Sequence, residues 1–374
     1  DHEVGVKDNR IHQLAAVRGD NGKAFVQGKQ KLNEALLKLE RFAEGTTFLL
    51  GHNLVVFDLP HLQAANPDLE ILNLPVIDTL WLSPLAFPRN PYHNLIKHYQ
   101  DGRLKQGQLN NPELDARLTL EVFLDQRNAF IELTEENPEL MLAWHWLTTI
   151  DDSVSGLDTF FASIRGEPRP TDVIGKQAVE RYLHERCCIT STRKSIDHVK
   201  ELAWPLAYVM AWLSVAGGNS VMPPWVRYQF PQAGQLVKKL RDVRCNDESC
   251  AWCMEMHNPK TELKRWFGFD DFRPEPTDDQ GRSLQEAIVE AAMRGEHVLG
   301  VLPTGTGKSL CYQIPALSRY TKTGALTLVI SPLVALMSDQ VTGLEAQGIE
   351  SCAALNGLLS MPERTRVLDR VRLG

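Results

Sequence analysis

Val298-Leu-Gly-Val-Leu302-Pro303-Thr304-Gly305-Thr306-Gly307-Lys308-Ser309 sets a short apolar run against a turn that closes on Gly-Lys-Ser. Gly305 and Gly307 let the backbone fold into a nest whose N–H groups converge on phosphate oxygens. A lysine at the next position reaches the β- and γ-phosphates, and a serine hydroxyl after it can ligate Mg2+. Thr304, Gly305, Thr306, Gly307, Lys308 and Ser309 are therefore the candidate nucleotide-binding residues, with Lys308 also a candidate catalytic group and Ser309 a candidate metal ligand. The general pattern opens on a glycine where this chain carries Leu302, so the strand–loop–helix context carries the reading. The structural alternative is a glycine-rich turn between two elements.

Outward from the loop, residues from about 284 alternate helical and apolar segments. The spacing predicts strands at His297–Leu302, Ala325–Ser331 and Ser351–Leu355, the pattern of a parallel α/β sheet. The polar, turn-rich 273–281 stretch (RPEPTDDQG) reads as a linker or surface insertion. Residues 128–262 are predicted mostly helical and are punctuated by prolines. Residues 1–127 mix β-like runs, at Arg10–Val17 and Thr46–Leu50, with a helix over Lys31–Ala43 that places Leu32, Leu36, Leu39 and Phe42 on one face. The expectation is an α/β multidomain protein divided at 1–127, 128–262 and 263–374.

The chain has 374 residues, 43% hydrophobic and 23% charged, which excludes a disordered or disulfide-scaffold class. Its net charge of −7 argues against a wholly basic nucleic-acid binder but leaves room for a local basic groove. No segment is long and apolar enough for a membrane span, and the Trp204–Ala216 run is short and holds Pro205. The expected location is intracellular, in the cytoplasm, nucleoid or nucleus. The chain starts without Met and is expected to be a fragment.

The stretch 303–317 (PTGTGKSLCYQIPAL) resembles motif I of RecQ-family DNA helicases, in helicase superfamily 2. Trp266-Phe-Gly-Phe-Asp-Asp-Phe272-Arg273 followed by Gln285 resembles the segment with which that family reads adenine, and a Gln amide can both donate to and accept from an adenine edge. The interval between Arg273 and Gln285 is longer than in the family. Ile330-Ser331-Pro332-Leu333 through Asp339-Gln340 resembles motif Ia, which contacts single-strand phosphates. The resemblance implies a first RecA-like lobe over about 262–374, with ATP, Mg2+ and DNA (single strands and duplex junctions) as partners and 3′–5′ unwinding in repair or recombination. The chain stops at Gly374, before an acidic Walker B motif or a second lobe, so a truncated helicase core that binds ATP without hydrolysing it is expected. A rival of another class is a non-catalytic DNA- or nucleotide-binding assembly fragment.

Near the N-terminus, Asp1-His2-Glu3, Gly51-His52-Asn53 with Asp58, and Asn111-Pro112-Glu113-Leu114-Asp115 bring four carboxylates from separate elements. Asn111 is a candidate N-cap with Pro112 at the first helical position. Asp1, Glu3, Asp58 and Asp115 could together hold two Mg2+ or Mn2+ ions, one to make hydroxide and one to stabilise a leaving oxygen. The ordered set, with Asp78-Thr79-Leu80 between, resembles the DnaQ-like (DEDD) 3′–5′ exonucleases, which implies an RNase H-like fold over 1–127. Those enzymes supply a base, His five or Tyr four residues before the last Asp, where this chain has Asn110 and Asn111. An amide cannot take that proton, and His93 or His98 are the substitutes at hand. A weak or altered nuclease is expected over an inert fold that only positions DNA. An exonuclease ahead of a RecQ helicase also resembles the Werner-type arrangement, with a different connector.

Seven cysteines fall after residue 186, and Cys245-x4-Cys250-x2-Cys253 has metal-ligand spacing. Cys187 or Cys188 would supply a fourth thiolate, with Cys188 preferred, in a helical connector stapled by an iron–sulfur cluster. Zinc is the alternative, with Cys245, Cys250, Cys253 and His257 as another possible set. Cys311 and Cys352 read as core residues. The aromatics of 204–214 and Met222–Tyr228 could stack bases but more ordinarily form a helix-packing core.

Overall fold

The computed structural model describes residues 2–4, 11–28, 31–90, 92–95, 111–215 and 222–373, with backbone alone for 2–4 and 372–373. The molecule is a mixed α/β protein, mostly helical. It separates into two units: Asp1–Tyr182 with His198–Ala211 and Pro223–Phe230, and Leu183–Asp197 with Trp212–Met222 and Pro231–Gly374.

In the first unit, β1 (His2–Val4), β2 (Ile11–Val17) and β3 (Ala24–Gly28) form an antiparallel sheet in which Leu14 pairs with His2 on one side and Gln27 on the other. The helix predicted from the leucine spacing is α1 (Leu32–Ala43): Leu36 is fully buried beside Leu14, and Phe42 packs on Phe25 at 5.6 Å. β4 (Leu49–Gly51) runs parallel to β5 (Val76–Asp78), with Gly51 beside Asp78. A π-helical turn, Leu54–Asp58, leads into α2 (Leu59–Ala65). From Asp78, α3 (Thr79–Ala86) is apolar around most of its surface and therefore buried.

α4 (Pro112–Glu136) starts where Asn111 Oδ1 accepts the Leu114 N–H at 3.3 Å. Buried Gln126 joins α4 to α3 by donating to the Thr79 carbonyl at 2.8 Å and the Ser83 hydroxyl at 2.9 Å. Phe130, Trp144 and Trp146 fill the helical layer beneath, and both indole N–H groups find acceptors, Ala207 O and Asp172 Oδ1. Emptying the Phe130 position by Phe130→Ala would cost about 3–5 kcal/mol.

Both boundaries expected from the sequence, 127/128 and 262/263, fall inside helices, the first in α4 and the second in Pro259–Phe267. The residues assigned to a connector are divided between the two units. Helix periodicity marks faces, but no signal in composition marks the end of a domain inside a continuous helix.

In the second unit, Leu263, Phe272, Val289, Met293 and Ile314 form one core between the helices Pro259–Phe267, Leu284–Met293 and Leu310–Thr323. The expected parallel sheet is not formed: among the described residues, His297–Leu302, Ala325–Ser331 and Ser351–Leu355 contain no strand. Leu299 is 92% exposed and Ile330 96%. An apolar run shows a demand for burial, whereas a parallel strand exists only when neighbours pair with its edges and helices cover its faces. No helix among the described residues is long and apolar enough to cross a membrane.

Candidate functional site

The phosphate loop takes the conformation its glycines allow. Gly305 and Gly307 have φ of 83° and 75°, and among the described residues no protein acceptor takes the backbone N–H groups of Gly305 through Lys308. Lys308 Nζ donates to the Leu302 carbonyl at 3.0 Å, leaving two ammonium protons for an anion. Thr306 Oγ1 donates to Pro303 O at 2.8 Å and tightens the turn. Ser309 precedes the phosphate-loop helix Leu310–Thr323, whose dipole adds to the pull on an anion.

Two residues hold the loop by its carbonyls. Gln285 Nε2 donates to Gly307 O at 2.9 Å and Thr306 O at 3.3 Å, while its Oε1 accepts the Arg273 N–H at 3.2 Å. Arg273 Nη1 donates to Gly305 O at 2.7 Å. A Cβ on Gly307 would meet Gln285 Nε2 at 2.7 Å, so this glycine is required by both φ and close approach. Gln285 is buried and both its amide protons are spent on the loop, so only an oxygen lone pair is left for an adenine. Without nucleotide, the Gln285 amide, expected at the adenine, holds the loop in place.

The motif Ia-like stretch ends in the helix Val334–Glu345, where Gln340 Oε1 accepts from Tyr312 Oη at 2.9 Å and Gln313 Nε2 at 2.8 Å. The helix that follows Ser331-Pro332 is thereby tied to the phosphate-loop helix.

Of the four N-terminal carboxylates, Asp1 lies outside the described residues, and for Glu3 only the backbone is described, in β1. Asp58 is buried at the end of the π-helical turn. Asp115 occupies the first turn of α4, where burial holds its carboxyl above its ordinary range. Asn110 and His98 lie outside the described residues, and the Asn111 side chain is used as a cap. His93 is buried and its Nδ1 accepts the Trp225 indole N–H at 3.2 Å, a packing position.

A residue without an assigned role in the sequence reading organises this region. Asp78 is fully buried, and its carboxylate accepts the N–H groups of Asn53 at 2.9 Å, Val55 at 3.0 Å and Leu80 at 2.9 Å. These bonds hold Asn53 in the left-handed conformation (φ 66°) and aim the turn that carries Asp58. Gly51 permits the turn, because a Cβ there would fall 2.6 Å from Leu54 Cβ. The signal was present in the sequence: an acid that closes an apolar strand and precedes a helix is a cap or a loop anchor.

Burial is the main cause that lifts Asp78 from its ordinary 3.8 to about 6. The folded chain therefore keeps a proton that the unfolded chain has released. The stability from this group is full below about pH 4 and lost as pH rises to about 6, on the order of 3 kcal/mol. Asp78→Asn sets an NH2 against a backbone N–H and should destabilise by about 1–3 kcal/mol. The gap between wild type and variant, from urea unfolding at about pH 4.5 and 7.5, should narrow toward neutral pH. A gap that widens with pH would contradict the burial account.

The cysteines separate cleanly. Sγ atoms of Cys188, Cys245, Cys250 and Cys253 all lie within 4.8 Å of one another. Cys187 is buried away from this group beside Arg241, and burial pushes its thiol up to about 12. His257 is not among the four, and burial, the largest cause, lowers its pKa to about 4. The aromatic stripe is core: Trp81, Trp204, Tyr208 and Phe230 pack edge and face with centroids 4.8–6.3 Å apart, while Tyr228 is exposed.

Residues 282–372 match the DEAD/DEAH box helicase family. The chain is similar to a Bacillus subtilis probable ATP-dependent DNA helicase RecS, 40% identical over 109 residues, 29% of this chain and 19% of that protein. The Haemophilus influenzae ATP-dependent DNA helicase RecQ is 43% identical over 112 residues, 30% of this chain and 16% of its own length. The mouse ATP-dependent DNA helicase Q5 is 42% identical over 111 residues, 29% and 10%. The chain thus spans less than a fifth of the length of these relatives. No solved structure matches.

The phosphate-loop helix is anchored at its other end by a residue that the sequence reading did not single out. Arg241, buried at the end of the helix Gln232–Arg241, donates to Lys322 O at 2.7 Å, Thr321 O at 3.0 Å and Arg186 O at 2.8 Å. Beside it, buried Lys322 pairs with Asp242 at 2.7 Å. A basic residue in the last turn of a helix is common enough that nothing in the spacing set this arginine apart.

Proposed function

We propose that this chain is the nucleotide-binding part of a RecQ-type ATP-dependent DNA helicase joined to a DEDD-type exonuclease domain. The phosphate loop carries the reading: paired left-handed glycines, unclaimed N–H groups and Lys308 stand in a segment that matches the helicase family. Thr304 through Ser309 would bind the ATP phosphates, with Ser309 offering its hydroxyl to Mg2+, whose charge would offset that of the phosphates. Arg273 and Gln285 keep the loop carbonyls turned away from the anion. Motif Ia would meet phosphates of the DNA strand, and 3′–5′ unwinding in repair or recombination is the expected outcome.

In the first unit, Asp1, Glu3, Asp58 and Asp115 would hold the two metal ions of a phosphodiesterase. Asp58 comes from a turn fixed by Asp78, and Asp115 from the capped start of α4. Asn111 is committed to that cap and supplies no base, which favours slow trimming or holding of a strand end over rapid digestion. The test is degradation of a 3′-recessed, end-labelled DNA with Mg2+ or Mn2+ and no ATP. Slow stepwise shortening is expected, abolished in Asp58→Ala. Shortening that persists in Asp58→Ala would refute the metal-site assignment, and none at all with DNA still bound would make the domain a holder of strand ends.

A further inference from the structure

We propose that Cys188, Cys245, Cys250 and Cys253 bind one tetrahedral Zn2+ ion, a structural staple for the elements that hold the phosphate-loop helix. The site rests on neither the nucleotide nor the nuclease reading. Four thiolates around zinc at about 2.3 Å stand about 3.8 Å apart, close to the separation here, within 4.8 Å for every pair. An iron–sulfur cluster interposes several iron and sulfide atoms and needs its thiolates spread farther. The geometry thus turns the sequence preference for iron–sulfur toward zinc.

The surroundings suit a thiolate site. Backbone N–H groups point at two of the sulfurs, Ser191 N to Cys188 Sγ at 3.5 Å and Cys245 N to Cys253 Sγ at 3.4 Å, the outer-shell support that ligands need. Cys188, Cys250 and Cys253 are buried with Trp252 and Met256, whereas Cys245 is half-exposed and gives an ion its way in. All four positions are protein thiols, so none remains open for substrate and the role is structural.

What the staple holds is Arg241. The Cys188 N–H donates to Leu240 O at 2.8 Å, and Trp252, between two ligands, donates from Nε1 to Arg241 O at 3.2 Å. The Arg241 guanidinium lies over the Trp252 ring at 4.5 Å while binding the last turn of the phosphate-loop helix.

The test is metal analysis of the full chain purified anaerobically, with an absorption spectrum. About one zinc per chain and no broad visible band are expected. Iron with acid-labile sulfide, or metal-free protein with these cysteines in disulfides, would overturn the proposal. Cys187→Ser should keep the zinc and Cys253→Ser should lose it; loss in Cys187→Ser would overturn the ligand set. Should Cys253→Ser fail to fold, wild type reconstituted with Co2+ should show the intense visible bands of tetrahedral thiolate ligation, and their absence counts against the site. Chelation should lower the thermal midpoint; an unchanged midpoint after zinc removal would refute the structural role.

Discussion

Lys308→Ala is expected to weaken MgATP binding by about 100-fold, close to 3 kcal/mol, with the fold intact. The ammonium is the only side-chain cation on the loop itself, and its point charge faces the phosphates that a nest of N–H groups alone holds less firmly. The fold survives because Lys308 is exposed and, among the described residues, gives up a single protein bond, to Leu302 O. Circular dichroism should be unchanged while titration with a fluorescent ATP analogue loses its saturable phase. Unchanged affinity would remove the phosphate-loop assignment.

Arg241→Ala is expected to cost the second unit about 3–5 kcal/mol in stability. The substitution leaves the carbonyls of Arg186, Thr321 and Lys322 without their donor in a buried site and strips the cation from between Trp212 and Trp252. Arg241→Lys should recover only part of this, since one ammonium cannot span three carbonyls arranged for a planar fork. Urea unfolding of the full chain followed by tryptophan fluorescence measures the loss. A cost under about 1 kcal/mol would show that the three bonds exchange freely with water.

The conformation of the 303–309 turn was legible because it is local: two glycines in a fixed order suffice to set the left-handed backbone at Gly305 and Gly307. The Asn111 cap and the buried face of α1 were legible for the same reason. Contacts across long separations were not. Spacing cannot tell Cys187 from Cys188; the two side chains diverge, one toward Arg241 and one toward the other thiols. Gln285 looked like a free amide because the carbonyls it binds lie more than twenty residues away. Asp78 hides its role similarly, as a carboxylate whose donors Asn53 and Val55 come from an earlier loop. The strands expected at 297–302 and 325–331 failed for a different reason: hydrophobicity names no pairing partner.

The measurement that tests the central claim most directly is isothermal titration of the intact chain with MgATP, with Lys308→Ala titrated in parallel. Binding at one site per chain, lost in the variant, is the predicted result. No binding to the wild type, or equal binding to both, would contradict the assignment of 303–309 as the nucleotide site.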